Sequence, residues 1–289
     1  MTPKTLGPVR DGVGESPFWD AQEQAVWSVD ITGKCIRKRS WPDGETTSWD
    51  TEDLPTALAL HSEGGAVVSF ARGVSLWSKD GTLSIVCPEA DPQMRLNEGK
   101  CDPRGRFWVA SMENNLTTDL RPRSQDSACG RLFRIDGATA TACSEAEFGI
   151  PNTMAWSPDR TRFFLADSLQ NTIWVWDYDD VTGAIENRRI HVSGGPGLPD
   201  GSCMDSEGCL WTARFAGGRV IRYDPDGRVE REIMLPVENP TSATFAGADL
   251  STLVVTSASF GMTEPGQDDG AMLVVQTDIR GQNENWFAG

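Results

Sequence analysis

The chain has 289 residues, 38% apolar and 24% charged, and its 26 basic against 42 acidic side chains leave a net charge of −16. That charge repels nucleic acid and anionic membranes, so neither is an expected partner, and no stretch approaches the roughly 20 apolar residues of a membrane helix. The length allows a core that needs no disulfide or metal staple. The start, Met1-Thr-Pro-Lys-Thr-Leu-Gly, has no apolar leader, and seven cysteines without a C-x-x-C pair fit reduced thiols in a cytoplasm.

One strand-turn-strand unit recurs in chain order. It appears at Trp19–Asp30, Leu60–Ser69, Cys101–Met112, Trp156–Asp167, Met204–Phe215 and Phe245–Thr256. Each copy is a strand end, a polar turn and an apolar or aromatic strand. A second strand start follows each: Gly33-Lys-Cys-Ile, Gly73-Val-Ser-Leu, Gly130-Arg-Leu-Phe, Asn171-Thr-Ile-Trp, Gly218-Arg-Val-Ile and Gly270-Ala-Met-Leu. Turns such as Pro42-Asp-Gly, Lys79-Asp-Gly and Pro225-Asp-Gly lead into further strands. Four strands in about 40 to 55 residues is the pattern of a propeller blade. Six copies predict an all-β, six-bladed β-propeller, one domain over residues 1–289. The tryptophans that fall on strands, such as Trp108 and Trp211, are expected in the packing between blades rather than around a ligand.

Histidine is scarce. Only His61 and His191 exist, in a turn-like segment and an alternating strand, and there is no G-x-S-x-G elbow. A three-histidine metal site is excluded, and a Ser-His-Asp triad has little to draw on.

The repeat fixes a register. Five residues before the residues that open the six turns (Asp20, His61, Asp102, Ser157, Asp205 and Ala246) stand Glu15, Thr56, Asn97, Asn152, Asp200 and Thr241. All six offer oxygen. Innermost strands of a propeller line its channel, so these positions form a ring at one mouth. Two carboxylates and two amides facing one axis suit a divalent cation: Ca²⁺, Mg²⁺ or Mn²⁺, with Zn²⁺ or Fe²⁺ also compatible. Such an ion serves either catalysis or stiffening of the channel. The settings Gly14-Glu15-Ser-Pro, Pro151-Asn152 and Pro199-Asp200-Gly201 are stiff or tightly turned, as a preorganised site requires.

The blocks Gly14-Glu-Ser-Pro-Phe-Trp19, Arg95-Leu-Asn-Glu-Gly-Lys-Cys-Asp-Pro-Arg-Gly-Arg-Phe-Trp108, Ile150-Pro-Asn-Thr-Met-Ala-Trp-Ser-Pro-Asp159, Leu198-Pro-Asp-Gly-Ser-Cys-Met-Asp-Ser-Glu-Gly-Cys-Leu-Trp-Thr212 and Asn239-Pro-Thr-Ser-Ala-Thr-Phe-Ala-Gly247 resemble the SMP-30/gluconolactonase (regucalcin-like) family over about residues 10 to 278. The resemblance implies a propeller with one divalent metal held by Glu15, Asn152 and Asp200, and Asp200 as candidate catalytic base. It further implies Asn97 beside the metal, touching substrate or water, Arg95 on the sugar, and hydrolysis of sugar-acid lactones such as glucono-, xylono-, arabinono- or galactonolactone.

Two departures bear on substrate. Asn97-Glu98-Gly99 stands where many members have Asn-Asp-Gly. Met112-Glu113-Asn114-Asn115 stands where some have an acidic pair on the sugar, which makes Glu113 and Asn115 candidate substrate contacts. The insert from Leu116 to Cys129, carrying Arg121 and Arg123, is the expected lid, with Arg121 a further substrate candidate.

In the expected reaction the cation polarises the lactone carbonyl and a water near Asp200 attacks it. The rival readings are a propeller hydrolase of other esters or phosphotriesters, which apolar pocket loops would favour, and a non-catalytic calcium-binding propeller. The expected partner is a small sugar lactone, and the expected state a monomer or weak oligomer.

Overall fold

The computed structural model describes residues 2–89, 91–125 and 127–289. Twenty-four strands form six four-stranded antiparallel sheets, and no helix occurs among the described residues. The first strands of the sheets are Gly14–Asp20, Pro55–Leu60, Met94–Cys101, Pro151–Trp156, Leu198–Met204 and Pro240–Ala246. Each touches the first strand of the next sheet, and the sixth returns to the first. These strands therefore line a central channel, and the protein is a six-bladed β-propeller.

Five blades take their four strands in sequence order. The sixth does not. Its strands Pro240–Ala246, Thr252–Ser257 and Ala271–Gln276 are completed on the outside by Lys4–Arg10, which pairs antiparallel with Ala271–Gln276. Lys4–Arg10, a strand the repeat pattern had left unassigned, thus covers the edge of Ala271–Gln276 and ties the sixth blade to the first.

The turn-opening aspartates do more than turn the chain. Asp102 accepts from the Trp108 indole N–H at 2.9 Å and the Tyr178 hydroxyl at 2.9 Å. Asp205 accepts from the Trp211 indole N–H at 2.8 Å and from Arg222 Nε at 2.8 Å. Trp108 and Trp211 are fully buried between blades, as expected, each with its one donor satisfied. All seven cysteines are free thiols.

The end of the chain crosses the mouth of the channel opposite the ring of oxygen-bearing residues. Gln282 N–H donates to the Met204 carbonyl at 2.9 Å, Asn285 Nδ2 to the Cys101 carbonyl at 3.0 Å and Phe287 N–H to the Leu60 carbonyl at 2.8 Å, all at the far ends of first strands. Glu284 reaches Lys100 at 2.9 Å, and Lys100 also donates to the Ser202 carbonyl at 2.7 Å. The channel is thereby stoppered at that end, and access runs through the other.

Candidate metal and substrate site

At the open mouth every first strand is interrupted at the same place. The pairing with the second strand shifts between Glu15 and Phe18, Pro55 and Ala57, Leu96 and Gly99, Asn152 and Ala155, Pro199 and Ser202, and Pro240 and Ala243. A bulge re-aims the side chain it carries. Here the bulges bring one register position of five strands, Glu15, Asn97, Asn152, Asp200 and Thr241, into a single cavity. Ser16 and Thr153, which follow Glu15 and Asn152, sit at φ of 51°. Left-handed backbone at a non-glycine residue, here a serine and a β-branched threonine, costs on the order of 1–3 kcal/mol and persists only where its surroundings enforce it.

Hydrogen bonds between neighbouring blades supply that enforcement. Ser16 Oγ bonds to the Leu58 carbonyl at 3.0 Å. Thr153 donates to the Asp200 carbonyl, and Ser202 Oγ donates to Thr153 at 2.8 Å. Thr241 donates to the Gly14 carbonyl, and Asn97 Nδ2 to the Pro151 carbonyl and to Asn152 Oδ1, both at 3.0 Å. The groups around the ring are held by one another rather than by solvent.

Glu15, Arg95, Asn97, Asn115, Asn152, Asp200 and Thr241 line one cavity of about 210 Å³, below the roughly 300–1,000 Å³ of drug-sized pockets. Arg95, Asn152 and Asp200 are each 7% exposed. Burial pushes the Glu15 carboxyl well above the ordinary carboxylate range, and the charges of Asp200 and Glu98 add to it. Asp200 is raised by burial and then by Glu98. Glu98, one residue from Asn97 and buried, is pushed up to about 7 chiefly by burial. Arg95 is lowered to about 10 by burial, against the attraction of Glu15.

Two carboxylates, Asp200 buried and Glu15 half-buried, thus share a cavity, and among the described residues no side chain donates a hydrogen bond to either; each takes only a neighbouring backbone N–H, Glu15 from Ser16 at 3.2 Å and Asp200 from Gly201. Buried charges without partners call for a cation. With the Asn152 amide oxygen beside them, the donors are all hard oxygens, which fits Ca²⁺, Mg²⁺ or Mn²⁺. Three His, Cys, Asp or Glu side chains do not gather into a ligand group anywhere among the described residues. The candidate set is two carboxylates and an amide.

Arg95 is tied down beside this group. Its Nε and one Nη donate to Asn115 Oδ1 at 3.2 and 3.0 Å, and the other Nη donates to Asn97 Oδ1 at 2.8 Å and the Leu96 carbonyl at 2.9 Å. Arg95, Asn97 and Asn115 are therefore one connected unit. Thr56 is buried against Ser69 and does not line the cavity.

Glu113 and Arg121, read from the sequence as substrate contacts, stand outside the cavity. Arg121 has a 78% exposed side chain paired with Asp119, and Glu113 pairs with Arg123 at 3.5 Å. Glu113 still belongs to the second strand of its blade, whereas Asn115 lies two residues past the strand end and reaches the mouth. The insert does cover the site. Leu116 lines the cavity, and a side-chain atom of Pro122 lies 3.1 Å from where a Cβ on Gly261 of the sixth blade would stand, so the insert spans the mouth from blade three to blade six. Gln125 anchors its return through Nε2 to the Gly149 carbonyl at 2.6 Å; Asp126 of the insert lies outside the described residues.

Sequence reasoning missed the walls. Val13, Ile31, Leu116, Ile150, Leu198, Phe215 and Phe260 line the cavity above the polar floor. A signal was present: Val13, Arg95, Ile150 and Leu198 each stand two residues before a ring position, hence on the same face of the strand. Neither histidine is near. His61 accepts from Glu63 N–H and packs on Phe287 at the stoppered end, and His191 lies on an outermost strand against Phe164.

Residues 13–259 match the family described as SMP-30/Gluconolactonase/LRE-like region. The chain belongs to the SMP-30/gluconolactonase family. It is 33% identical to a regucalcin of Gallus gallus over 98% of this chain and 97% of that protein. It is 30% identical to the 6-deoxy-6-sulfogluconolactonase of Pseudomonas putida, with 96% and 95% covered, and 33% identical to the pentonolactonase XacC of Haloferax volcanii, with 92% and 91% covered. A solved luciferin-regenerating enzyme superposes with a TM-score of 0.90 at 25% identity, covering 100% of this chain and 99% of that one. Family membership agrees with the propeller and with the blocks that carry the cavity residues, all of which fall inside the matched span apart from Phe260.

Proposed function

We propose that this protein hydrolyses the ester bond of a sugar-acid lactone, assisted by one divalent cation held by Glu15, Asn152 and Asp200. The observation that carries this reading is the pairing, in one lidded cavity, of two carboxylates to which no described side chain donates with the Arg95–Asn97–Asn115 unit. The lactonases among its relatives support it.

A cation there would supply Lewis-acid polarisation of the lactone carbonyl and stabilise its developing oxyanion. The side chains do the rest. Arg95 and Asn115 hold substrate hydroxyls, and Asn97, its amide hydrogens already donated to Pro151 and Asn152, fixes the orientation of the Asn152 amide. Asp200, held through its own carbonyl by Thr153, places a carboxylate oxygen to take the proton of the attacking water. Leu116 and Phe260 keep bulk water from the far side. Ring opening needs no covalent intermediate, in keeping with the lack of a nucleophile motif. With seven free thiols the protein suits a reducing compartment such as the cytoplasm.

The apolar walls favour a second reading, hydrolysis of less hydroxylated esters or phosphotriesters. One panel separates the two: aldonolactones, γ-butyrolactone, an aryl ester and a phosphotriester, each with and without EDTA. Metal-dependent turnover of aldonolactones, with Arg95→Ala raising KM for them far more than for butyrolactone, supports the lactonase reading. Preference for the aryl ester or phosphotriester refutes it.

A further inference from the structure

The cavity's capacity to bind hydroxyls is small and one-sided. A guanidinium has five N–H donors, and Arg95 uses four of them on Asn115, Asn97 and Leu96, which leaves one. Asn97 has donated both amide hydrogens. Ser168 donates to the Pro199 carbonyl and accepts from Asn152. What remains for a ligand, apart from the cation-facing oxygens, is one N–H of Arg95, the Asn115 Nδ2 amide group and the Thr32 hydroxyl.

Position supports the count. Arg95 and Asn115 both come from the third blade and Thr32 from the first, whereas across the fourth to sixth blades the apolar walls are Ile150, Leu198, Phe215 and Phe260, with Leu116 of the insert above. A ring hydroxyl beside the carbonyl, and one or two next to it, find partners at the third blade. A hydroxyl on the terminal carbon, pointing away from them, meets hydrocarbon.

We propose that the preferred substrate is a deoxy-sugar lactone whose terminal carbon is a methyl group, and that Leu198, Phe215 and Phe260 select it. This rests on the lactonase reading and narrows it. A terminal anion is disfavoured more strongly, because among the described residues no cationic side chain lines that wall: Arg121 and Arg123 of the insert are exposed and paired with Asp119 and Glu113. Burying a hydroxyl without a partner, or forgoing a methyl contact, each changes affinity by roughly tenfold.

The experiment compares matched pairs of 1,5-lactones in the gluco and galacto series, each with CH₂OH and with CH₃ at C5, plus the 6-deoxy-6-sulfo gluco compound, using the cation-loaded protein. The expected result is kcat/KM about tenfold or more higher for the methyl member of at least one pair, with the sulfonate poorest. Leu198→Asn, at a position 36% exposed where folding is not at stake, should bring the ratio toward one. Equal or better use of the hydroxymethyl member in both pairs overturns the inference, and an unchanged ratio in Leu198→Asn overturns the assignment to that wall. Binding of the corresponding non-hydrolysable lactams by calorimetry separates this from the lactonase reading. A methyl preference in binding with no lactone hydrolysed refutes the lactonase reading alone; hydrolysis and binding without that preference refute the inference alone.

Discussion

Asp200→Asn is the sharpest test of the cation site, because it changes charge and almost no volume. The wild-type group offers two carboxylates and one amide oxygen, a formal charge of −2, and the variant offers −1. A ligand that binds only the folded state at a hundred times its Kd adds about 2.7 kcal/mol. For 289 residues, at about 2.1 cal/mol/K of unfolding entropy per residue, 1 kcal/mol is worth about 1.6 °C, so saturating cation raises Tm by about 4–5 °C. Loss of one of two charged ligands weakens Kd by about a hundredfold or more. At the same cation concentration the variant then gains about 0.4 kcal/mol, under 1 °C. In EDTA the order reverses: Glu15 no longer faces a second buried carboxylate, and the variant melts at or above the wild type. Scanning calorimetry of both proteins across a titration of Ca²⁺, Mg²⁺ and Mn²⁺ reads each term. A variant that keeps the full cation-induced shift, or melts well below wild type in EDTA, refutes the assignment of Asp200 as ligand.

Glu284→Gln leaves Lys100, with a 12% exposed side chain, facing the Ser202 carbonyl and the buried Glu98 carboxyl in the stoppered channel. Removing one partner of a buried pair costs about 3–5 kcal/mol, a fall in Tm of about 5–8 °C, and Lys100→Met in the same chain should recover more than half of it. His191 is pushed down to about 4, by burial first and then by Arg162 and Arg189, against Asp224 and Asp226. Its folded pKa is below the unfolded value of about 6.5, so its contribution is complete above pH 6.5 and is lost as pH falls toward 4. Urea unfolding at pH 7 and pH 4.5 should show wild type losing on the order of 2 kcal/mol more than His191→Phe, after allowing for partial exposure; equal losses would show that His191 does not titrate across folding.

How much of this was legible follows from what repeats. Strand periodicity and turns recur six times, so blade count, strand starts and the ring of Glu15, Asn97, Asn152 and Asp200 could be read by counting from Asp20, Asp102, Ser157 and Asp205. The closing strand Lys4–Arg10 could not, because it breaks the repeat: its partner Ala271–Gln276 is more than 260 residues away. Glu113 and Asn115 illustrate the limit of counting along a loop. Two residues past the strand end decide which side chain reaches the mouth, and no periodicity governs a loop. The stopper formed by residues 281–289 was also illegible: two of its bonds run from backbone to the Leu60 and Met204 carbonyls, and its side-chain contacts, Asn285 on the Cys101 carbonyl and Glu284 on Lys100, belong to no repeat.

The same bulge at all six first strands explains why one repeated unit can carry Glu, Asp, Asn or Thr at one position without losing its shape. The pairing shift begins at or beside the ring position in every blade, so its side chain is chosen by its neighbours across the axis more than by strand propensity. The position two residues earlier is still on the channel face of the strand and lies nearer the mouth. There the six blades read Val13, Leu54, Arg95, Ile150, Leu198 and Asn239. One is charged, and it is the one whose blade also supplies Asn97 and Asn115. Polarity in the cavity is therefore layered: oxygens from five blades at the ring, and above it Arg95 and Asn115 of the third blade facing the apolar Ile150, Leu198, Phe215 and Phe260 of the fourth to sixth. That asymmetry orients a ligand before any reaction occurs, because only one rotation about the channel axis places its hydroxyls on Arg95 and its least polar end on Leu198 and Phe215.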